Sequence, residues 1–153
     1  MIEIIRTNSE NPDFIELVRQ LDKSLAILDG DEHAFYAQFN TLEKIKYALV
    51  AYTNEMPVGC GAIREKHKGA VEIKRMYVVP EKRGLGIATT IVKALEIWAN
   101  ELSFDTCVLE TGKRQIEAVN LYKKLGYSII PNFHPYENMD NSICFEKKIK
   151  EKK

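Results

Sequence analysis

The sequence predicts an α+β (mixed α/β) fold in which a central, mostly antiparallel twisted sheet carries helices on both faces. Its apolar residues follow two periods, the alternation typical of strands and the spacing typical of amphipathic helices. The predicted elements run in the order β-α-α-β-β-β-α-β-α-β-β. Because strands alternate with helices only in the second half of the chain, a mostly antiparallel sheet is favoured over an all-parallel one.

Length and charge favour a single globular domain. The chain has 153 residues, enough for one sizeable core, and we expect one domain over residues 1–149 followed by a basic C-terminal tail at 150–153. Its 22 acidic and 22 basic residues give zero net charge. This balance offers no evidence of nucleic-acid or membrane attraction, so we expect neither partner.

Cysteine usage indicates a reducing compartment. Cys60, Cys107 and Cys144 are widely spaced, and the sequence contains no CxxC motif. We therefore interpret them as reduced thiols of an intracellular protein. The chain has no apolar stretch long enough to cross a bilayer, and its N-terminus lacks the order of charged and apolar residues of a signal peptide. A cytoplasmic location is expected.

In the first half, Ile2–Thr7 alternates as a strand does, and Asn11 followed by Pro12 is typical of a helix start. Glu32–Asn40 is predicted to be a short helix or an irregular segment. Two hairpin strands follow at Tyr47–Tyr52 and Val58–Arg64, with polar turns at 54–57 and Glu65–Gly69.

The second half alternates strands with helices. Strands are predicted at Val71–Val79, Cys107–Glu110, Tyr127–Ile130 and Ile143–Glu146, and helices at 87–102 and Arg114–Leu125. The segment Pro131–Asn141, between the last two strands, is predicted to be a loop.

The stretch after the strand Val71–Val79 is suited to binding phosphate. Pro80 ends the strand, and Arg83-Gly84-Leu85-Gly86-Ile87-Ala88 leads into a helix. A helix N-terminus offers unpaired N–H groups and partial positive charge, and glycines let the backbone approach an anion closely. Arg83 adds a cation and Thr89 a hydroxyl donor. The spacing fits neither a Walker A loop nor a Rossmann fingerprint.

This loop, Arg83-x-x-Gly86-x-Ala88 after Val-Val-Pro, resembles the acyl-CoA pyrophosphate loop of the GNAT superfamily of N-acetyltransferases, Arg/Gln-x-x-Gly-x-Gly/Ala. The segment from Ala118 to Tyr127 resembles the second GNAT motif, Asn-x-x-Ala-x-x-Leu-Tyr-x-x-x-Gly-Phe/Tyr. Gln115 stands where that motif usually has Asn. The resemblance covers almost the whole chain and is strongest from Pro57 to Phe145.

The resemblance implies the GNAT acyl-CoA N-acyltransferase fold and an acetyl-CoA-dependent N-acetyltransferase without a metal. The expected reaction is direct attack by a primary amine of a small molecule or amino acid on acetyl-CoA in a ternary complex. Two alternatives stay open, a non-catalytic acyl-CoA-binding regulatory module and an enzyme that acetylates protein amino groups. Dimers are common in relatives of this fold, and the sequence leaves a homodimer open without determining the oligomeric state.

The resemblance also implies which residues bind the cofactor. In the family, the strand that ends here splays from its neighbour, and the pantetheine arm bonds to its main chain. The implied cofactor-binding residues are Met76, Tyr77, Val78, Arg83, Gly84, Leu85, Gly86, Ile87, Ala88, Thr89, Gln115 and Tyr122.

Two residues are candidates for proton transfer. In the family, the Tyr at the position of Tyr122 lies near the cofactor sulfur, where a phenol would protonate the leaving thiolate. The alternative is a core aromatic on an amphipathic helix. Glu72 matches the catalytic base of several relatives and would share a strand face with Lys74 and Met76. The alternative is a solvent-exposed carboxylate paired with Lys74 or Arg75.

Acceptor-binding candidates lie in the least patterned segments. In this fold such segments line the acceptor site, and the candidates are His33, Tyr36, Phe133, His134 and Tyr136. The alternative is that they are ordinary surface residues. The three histidines show no metal-ligand spacing, and His67, in a predicted polar turn, is expected to be solvated.

Overall fold

A computed structural model describes residues 1–30 and 44–149. Within these residues seven strands form one hydrogen-bonded sheet, accompanied by three α-helices and one 3-10 turn. The strands are β1 (Ile2–Thr7), β2 (Tyr47–Thr53), β3 (Met56–His67), β4 (Ala70–Val78), β5 (Thr106–Gly112), β6 (Ser128–Ile130) and β7 (Ser142–Lys148). The helices are α1 (Pro12–Asp29), α2 (Ile87–Glu101) and α3 (Ile116–Lys124), and the 3-10 turn is Pro80–Lys82.

The strand order in the sheet is β1-β2-β3-β4-β5-β7-β6. Antiparallel ladders join β1 to β2, β2 to β3, β5 to β7 and β6 to β7, whereas β4 and β5 are parallel. The mostly antiparallel sheet that the element order predicts is therefore confirmed. The described chain falls into two compact units: unit 1 spans Met1–Arg64 and Ile73–Leu95, and unit 2 spans Glu65–Glu72 and Glu96–Lys153.

In unit 1 the helices α1 and α2 pack on opposite faces of the sheet. The hydroxyl of Tyr52 on β2 donates to the carboxylate of Asp13 on α1 at 2.6 Å. The neighbouring Ala51, which points to the other face, pairs with Gly59. A β-carbon on Gly59 would lie 3.0 Å from the Cδ1 atom of Ile91, on α2. The expected placement of helices on both faces is thus confirmed in this unit.

The start of α1 follows the prediction. The side-chain oxygen of Asn11 accepts hydrogen bonds from the N–H groups of Asp13 and Phe14, at 2.9 and 3.0 Å, and Pro12 occupies the first helical position. The predicted element at Glu32–Asn40 lies outside the described residues. None of the described helices is both long and apolar enough to cross a membrane.

The first hairpin turn is tighter than the sequence predicts. Asn54 and Glu55 both have positive φ, 51° and 65°, so two residues suffice to connect the pair Thr53–Met56. The prediction that the turn includes Met56 and Pro57 is therefore wrong, because β3 begins at Met56. Pro57 is tolerated within β3 because it lies beside a bulge, where the ladder shifts register between Ala51 and Tyr52.

The second predicted turn, Glu65–Gly69, is also too long. β3 continues through His67, and Gly69 turns the chain with a φ of 85°. His67 therefore lies at the end of a strand rather than in a turn, and it is exposed. Elsewhere the differences are small shifts of element ends, such as α3 beginning at Ile116 rather than Arg114.

In unit 2 a partly buried ion pair anchors the end of α2. The ammonium of Lys147 lies 3.1 Å from each carboxylate oxygen of Glu96, whose side chain is 13% exposed. The hydroxyl of Tyr127 donates to the same carboxylate at 2.8 Å. Removing a carboxylate from water costs free energy, and the two donors offset that cost. Glu96, Lys147 and Tyr127 therefore stabilise the packing of α2 on β7.

The loop at 131–141 is built around the side-chain amide of Asn132. Its Nδ2 donates to the carbonyl oxygens of Tyr136, Met139 and Ser142 at 3.1, 3.3 and 3.1 Å. The rings of Phe133 and Tyr136 pack edge to face with centroids 6.0 Å apart. One amide thus organises the loop that the sequence analysis associates with the acceptor.

We expect Asn132→Asp to lower the free energy of unfolding by about 2–3 kcal/mol, because three carbonyl groups lose their donor and face a carboxylate instead. Urea unfolding monitored by circular dichroism measures the change. Asn138→Asp, at an exposed position of the same loop, is the matched control and should unfold like the wild type. Equal stability of the two variants would contradict the role of Asn132.

Candidate active site

The loop before α2 has a backbone that requires glycine. Gly84 and Gly86 both have a φ of 81°, and a β-carbon on either residue would meet no atom within 4 Å. The requirement therefore comes from the left-handed backbone conformation and not from crowding. Arg83 to Gly86 are exposed, and 66% of Leu85 is accessible. An exposed loop with open space above its glycines leaves its backbone accessible to a ligand.

The N-terminus of α2 follows directly. The first helical hydrogen bond is donated by Thr90 N to the Gly86 carbonyl at 3.1 Å, and the Thr90 hydroxyl donates to the same oxygen at 2.9 Å. The N–H groups of residues 87–89 therefore precede the helical ladder. No acidic residue lies in the first turn. This end of the helix carries partial positive charge with no acidic side chain to offset it, as anion binding requires.

Arg83 is held beside this loop by two contacts. Its Nε donates to the Val78 carbonyl at 2.9 Å, and its guanidinium carbon lies 5.5 Å from the centre of the Tyr77 ring. The carbonyl of Val78, one of the backbone groups implied to contact the cofactor, is therefore occupied by Arg83. The predicted cation thus has a defined position next to the glycines.

Strand β4 departs from regular geometry before it reaches Met76. Arg75 has a φ of 60°, uncommon for a residue with a side chain. Its side chain is 5% exposed and lies 3.4 Å from Asp22 on α1, and its carbonyl accepts from the thiol of Cys60. The expectation that Glu72 shares one regular strand face with Met76 is therefore wrong, because the alternation is interrupted at Arg75.

Glu72 lies inside the protein and not on its surface. It is 3% exposed and pairs with Val108 in the parallel ladder, which joins Ala70–Glu72 to Thr106–Val108. The alternative of a solvent-exposed carboxylate is therefore wrong. The free-energy cost of burying a carboxylate must be offset by charged or hydrogen-bonding partners, so buried glutamates are rare. They occur more often at functional sites than elsewhere in a protein.

Tyr122 lies in an aromatic cluster of unit 2. Its ring centre is 5.7 Å from that of Tyr127 and 6.1 Å from that of Phe145, and the residue is 5% exposed. Burial raises the pKa of Tyr122 well above its usual value, so the phenol stays protonated. This environment suits both a core aromatic and a proton donor, and the acid role stays a prediction.

Glu72 and Tyr122 lie on opposite faces of the sheet in unit 2. Glu72 pairs with Val108, which shares a face with Glu110, and Glu110 pairs with Cys144. The next residue, Phe145, points the other way and contacts the Tyr122 ring. The Glu72 side chain therefore lies on the face of the sheet opposite to α3.

The cysteines of unit 2 are poor nucleophiles. Burial, helped by the charge of Glu96, raises the pKa of Cys107 to about 12. Burial, helped by the charges of Glu110 and Glu72, raises the pKa of Cys144 to about 11. Both are buried thiols at neutral pH and not reactive thiolates.

The acceptor candidates occupy different environments. His33 and Tyr36 lie outside the described residues. The side chain of His134 is 84% exposed and lies 3.4 Å from Glu137, whereas Tyr136 is buried. Phe133 is half-buried, and the Lys66 ammonium lies 4.4 Å from its ring centre and donates to the His134 carbonyl at 2.8 Å.

The residues that hold the candidate site residues in place could not be predicted from the sequence. Lys66 and His134 are 68 positions apart, and no local pattern links them. Gln115, the implied amide contact, precedes α3 and makes no capping hydrogen bond through its side chain within the described chain. Its position at the helix start agrees with the motif, and its contact with a cofactor stays a prediction.

Comparisons with known proteins identify the family. The profile of the acetyltransferase (GNAT) family matches residues 12–127. An IAA acetyltransferase of Azospirillum brasilense is 32% identical over 149 residues, which cover 95% of this chain and 97% of that protein. A candidate acyl-CoA N-acyltransferase structure from Klebsiella pneumoniae superposes with a TM-score of 0.82 at 31% identity, covering 97% of this chain and 98% of the other.

A more distant structure, the PaiA N-acetyltransferase of Thermoplasma acidophilum in complex with coenzyme A, has a TM-score of 0.70 at 17% identity and covers 97% of this chain and 99% of its own. At that identity the likeness shows the fold alone. The family profile and the relatives above 30% identity extend the likeness to the family. The chain therefore belongs to the acetyltransferase (GNAT) family and is an N-acetyltransferase of that family.

Proposed function

We propose that this protein transfers the acetyl group of acetyl-CoA to a primary amine of a small molecule or amino acid, by direct attack in a ternary complex. The observation that carries the proposal is the exposed loop with left-handed Gly84 and Gly86 at the N-terminus of α2, with Arg83 held beside it. Family membership supports the use of an acyl-CoA donor.

In this proposal unit 1 supplies the cofactor contacts. The N–H groups at 86–89 and the guanidinium of Arg83 would bind the pyrophosphate, because both offer donors and positive charge to an anion. Met76, Tyr77 and Val78 would contact the pantetheine arm. The coenzyme A complex of the Thermoplasma neighbour supports this use of the fold.

Unit 2 would supply the proton transfers. The acceptor amine arrives protonated and must lose a proton before its lone pair can attack the thioester carbonyl, and we assign that role to Glu72. As the C–N bond forms and the C–S bond breaks, the thiolate of CoA leaves with a hydrogen bond donated by Tyr122, which we assign as the acid. The attacking nitrogen and the leaving sulfur are bonded to the same carbon in the tetrahedral intermediate, so Glu72, on the sheet face opposite to Tyr122, would take the amine proton through water.

The buried environment of Tyr122 sharpens its role. A phenol whose pKa is raised by burial holds its proton more tightly than the thiol of CoA would, since an ordinary thiol has a pKa near 8.5. Tyr122 would therefore act as the acid mainly by donating a hydrogen bond to the departing sulfur, because full proton transfer to the less basic thiolate is unfavourable while the pKa of Tyr122 stays raised. The raised pKa values of Cys107 and Cys144 disfavour an acyl-enzyme and support direct transfer.

Ligand binding tests the proposal first. We expect acetyl-CoA and CoA to raise the melting temperature, because a ligand that binds only the folded state stabilises it, whereas NAD should have no effect. A panel of amines, together with IAA, after which the Azospirillum relative is named, would then be screened for release of CoA thiol. No thermal shift at saturating CoA would contradict the loop assignment. Binding without turnover on any acceptor, protein amino groups included, would favour the regulatory module.

We expect Tyr122→Phe to lower kcat by about a hundredfold, the usual order for loss of a general acid, while the Kd for CoA changes little. Steady-state kinetics with the best acceptor and calorimetry with CoA measure the two quantities. Tyr52→Phe removes a hydroxyl that contacts Asp13 in unit 1 and is the matched control. An unchanged kcat in Tyr122→Phe would eliminate the acid role.

We expect Glu72→Gln to depress kcat/KM most at low pH, where unprotonated amine is scarce, and progressively less as pH rises toward the amine pKa. A pH–rate profile of both proteins checks the prediction. Glu146→Gln is the matched control. Glu146 is on β7 and pairs with Val108, as Glu72 does from β4, so this variant removes one carboxylate charge from the same sheet face and leaves Glu72 in place. If the Glu72→Gln and wild-type profiles have the same shape, another group is the base.

A further inference from the structure

We propose that the side chain of Tyr77 is a positioning residue that holds Arg83 in the orientation needed to bind the pyrophosphate of the cofactor. This inference deepens the proposed function and depends on it. The family resemblance implies only a backbone contact for Tyr77. The structure points to a separate task for its ring.

The ring of Tyr77 is itself fixed. Tyr77 is 7% exposed, and its hydroxyl donates to the side-chain oxygen of Gln20 on α1 at 3.3 Å. Two positions earlier on β4, Arg75 contacts Asp22 of the same helix. Helix α1 therefore contacts this part of β4 at two points, and one of them orients the phenol.

The fixed ring then orients Arg83. The guanidinium carbon lies 5.5 Å from the ring centre, inside the range of about 6 Å over which an aromatic face attracts a cation. The Nε–H is used by the carbonyl of the next residue, Val78, at 2.9 Å. One aromatic face and one carbonyl thus restrict the guanidinium, and its terminal NH₂ groups are the donors available to an anion.

Such restriction improves binding because an arginine side chain that is already ordered loses less conformational freedom when it meets its ligand. The planar guanidinium is suited to this, since it can stack on a ring and still donate in its plane. A lysine at position 83 would retain the charge and lose both the stacking and the Nε donor. We therefore predict that the charge of a lysine at position 83 is not sufficient for wild-type affinity for CoA.

The experiment compares two probes, CoA, which carries the pyrophosphate, and pantetheine, which lacks it. Kd values are measured by calorimetry for CoA and by NMR titration for pantetheine. The proteins are wild type, Arg83→Met, Arg83→Lys, Tyr77→Phe, Tyr77→Leu and the double variant Tyr77→Leu/Arg83→Met. Thermal unfolding without ligand confirms that each variant is folded.

We expect Tyr77→Leu to raise the Kd for CoA about five- to tenfold and to leave the Kd for pantetheine unchanged. Tyr77→Phe keeps the ring but loses its hydrogen bond to Gln20, so it should weaken CoA binding less than Tyr77→Leu does. Arg83→Met should weaken CoA binding, and adding Tyr77→Leu to it should cause no further loss, because the two residues act as one unit. Arg83→Lys should not recover the wild-type Kd.

Three results would overturn the inference: equal weakening of CoA and pantetheine by Tyr77→Leu, additive effects in the double variant, or a wild-type Kd in Arg83→Lys. Arg83 is exposed, so its variants decide the question even if Tyr77→Leu fails to fold. Failure of the proposed function is distinguishable, because then Arg83→Met itself would leave CoA binding unchanged.

Discussion

The close packing of α2 on the glycines of β3 is the constraint on which the cofactor side of this protein depends. A β-carbon on Gly61 would lie 2.9 Å from Cγ2 of Ile91 and 3.0 Å from Cδ1 of Leu95. A β-carbon on Gly59 would lie 2.9 Å from the Tyr77 carbonyl. A side chain at Gly59 would displace the backbone of β4, and one at Gly61 would force the side chains of Met76, Ile91 and Leu95 to move. Because the N-terminus of α2 supplies the amides of the candidate anion site, the two glycines also determine where that site lies.

The residues of the proposed mechanism come from both compact units. Unit 1 contains the groups suited to an anion, which are the loop amides, the helix N-terminus and the oriented Arg83. Unit 2 contains the groups suited to proton transfer, with Glu72 and Tyr122 on opposite faces of its strands. The parallel ladder of β4 and β5 pairs the buried Glu72 with Val108, whereas the antiparallel ladder of β5 and β7 contains Phe145, whose ring lies beside that of Tyr122. The alternation of side chains along strands thus separates the proposed base from the proposed acid.

Much of the local structure could be predicted from sequence, because its causes are local. Asn11 and Pro12 specify a helix start through their own hydrogen bonds and φ, and the structure has α1 beginning there. The glycine pattern at 83–88 predicts a loop that needs left-handed backbone, and both glycines adopt it. Errors arose where two signals competed. Pro57 suggests a turn, yet a bulge accommodates it inside β3, and the polar residues 65–67 suggest a loop although they extend a strand.

The sequence by itself determined the order of the described elements, the glycine loop before α2 and the family resemblance, because these depend on residue types at short spacing. Only the tertiary structure decided which side chains are buried and what holds them. Glu72 is buried and pairs with Val108 more than thirty positions away, Lys66 donates to the carbonyl of His134 across 68 positions, and Arg83 lies over the ring of Tyr77, whose hydroxyl donates to Gln20. Contacts of this kind form only when distant segments meet, so spacing along the chain carries no record of them.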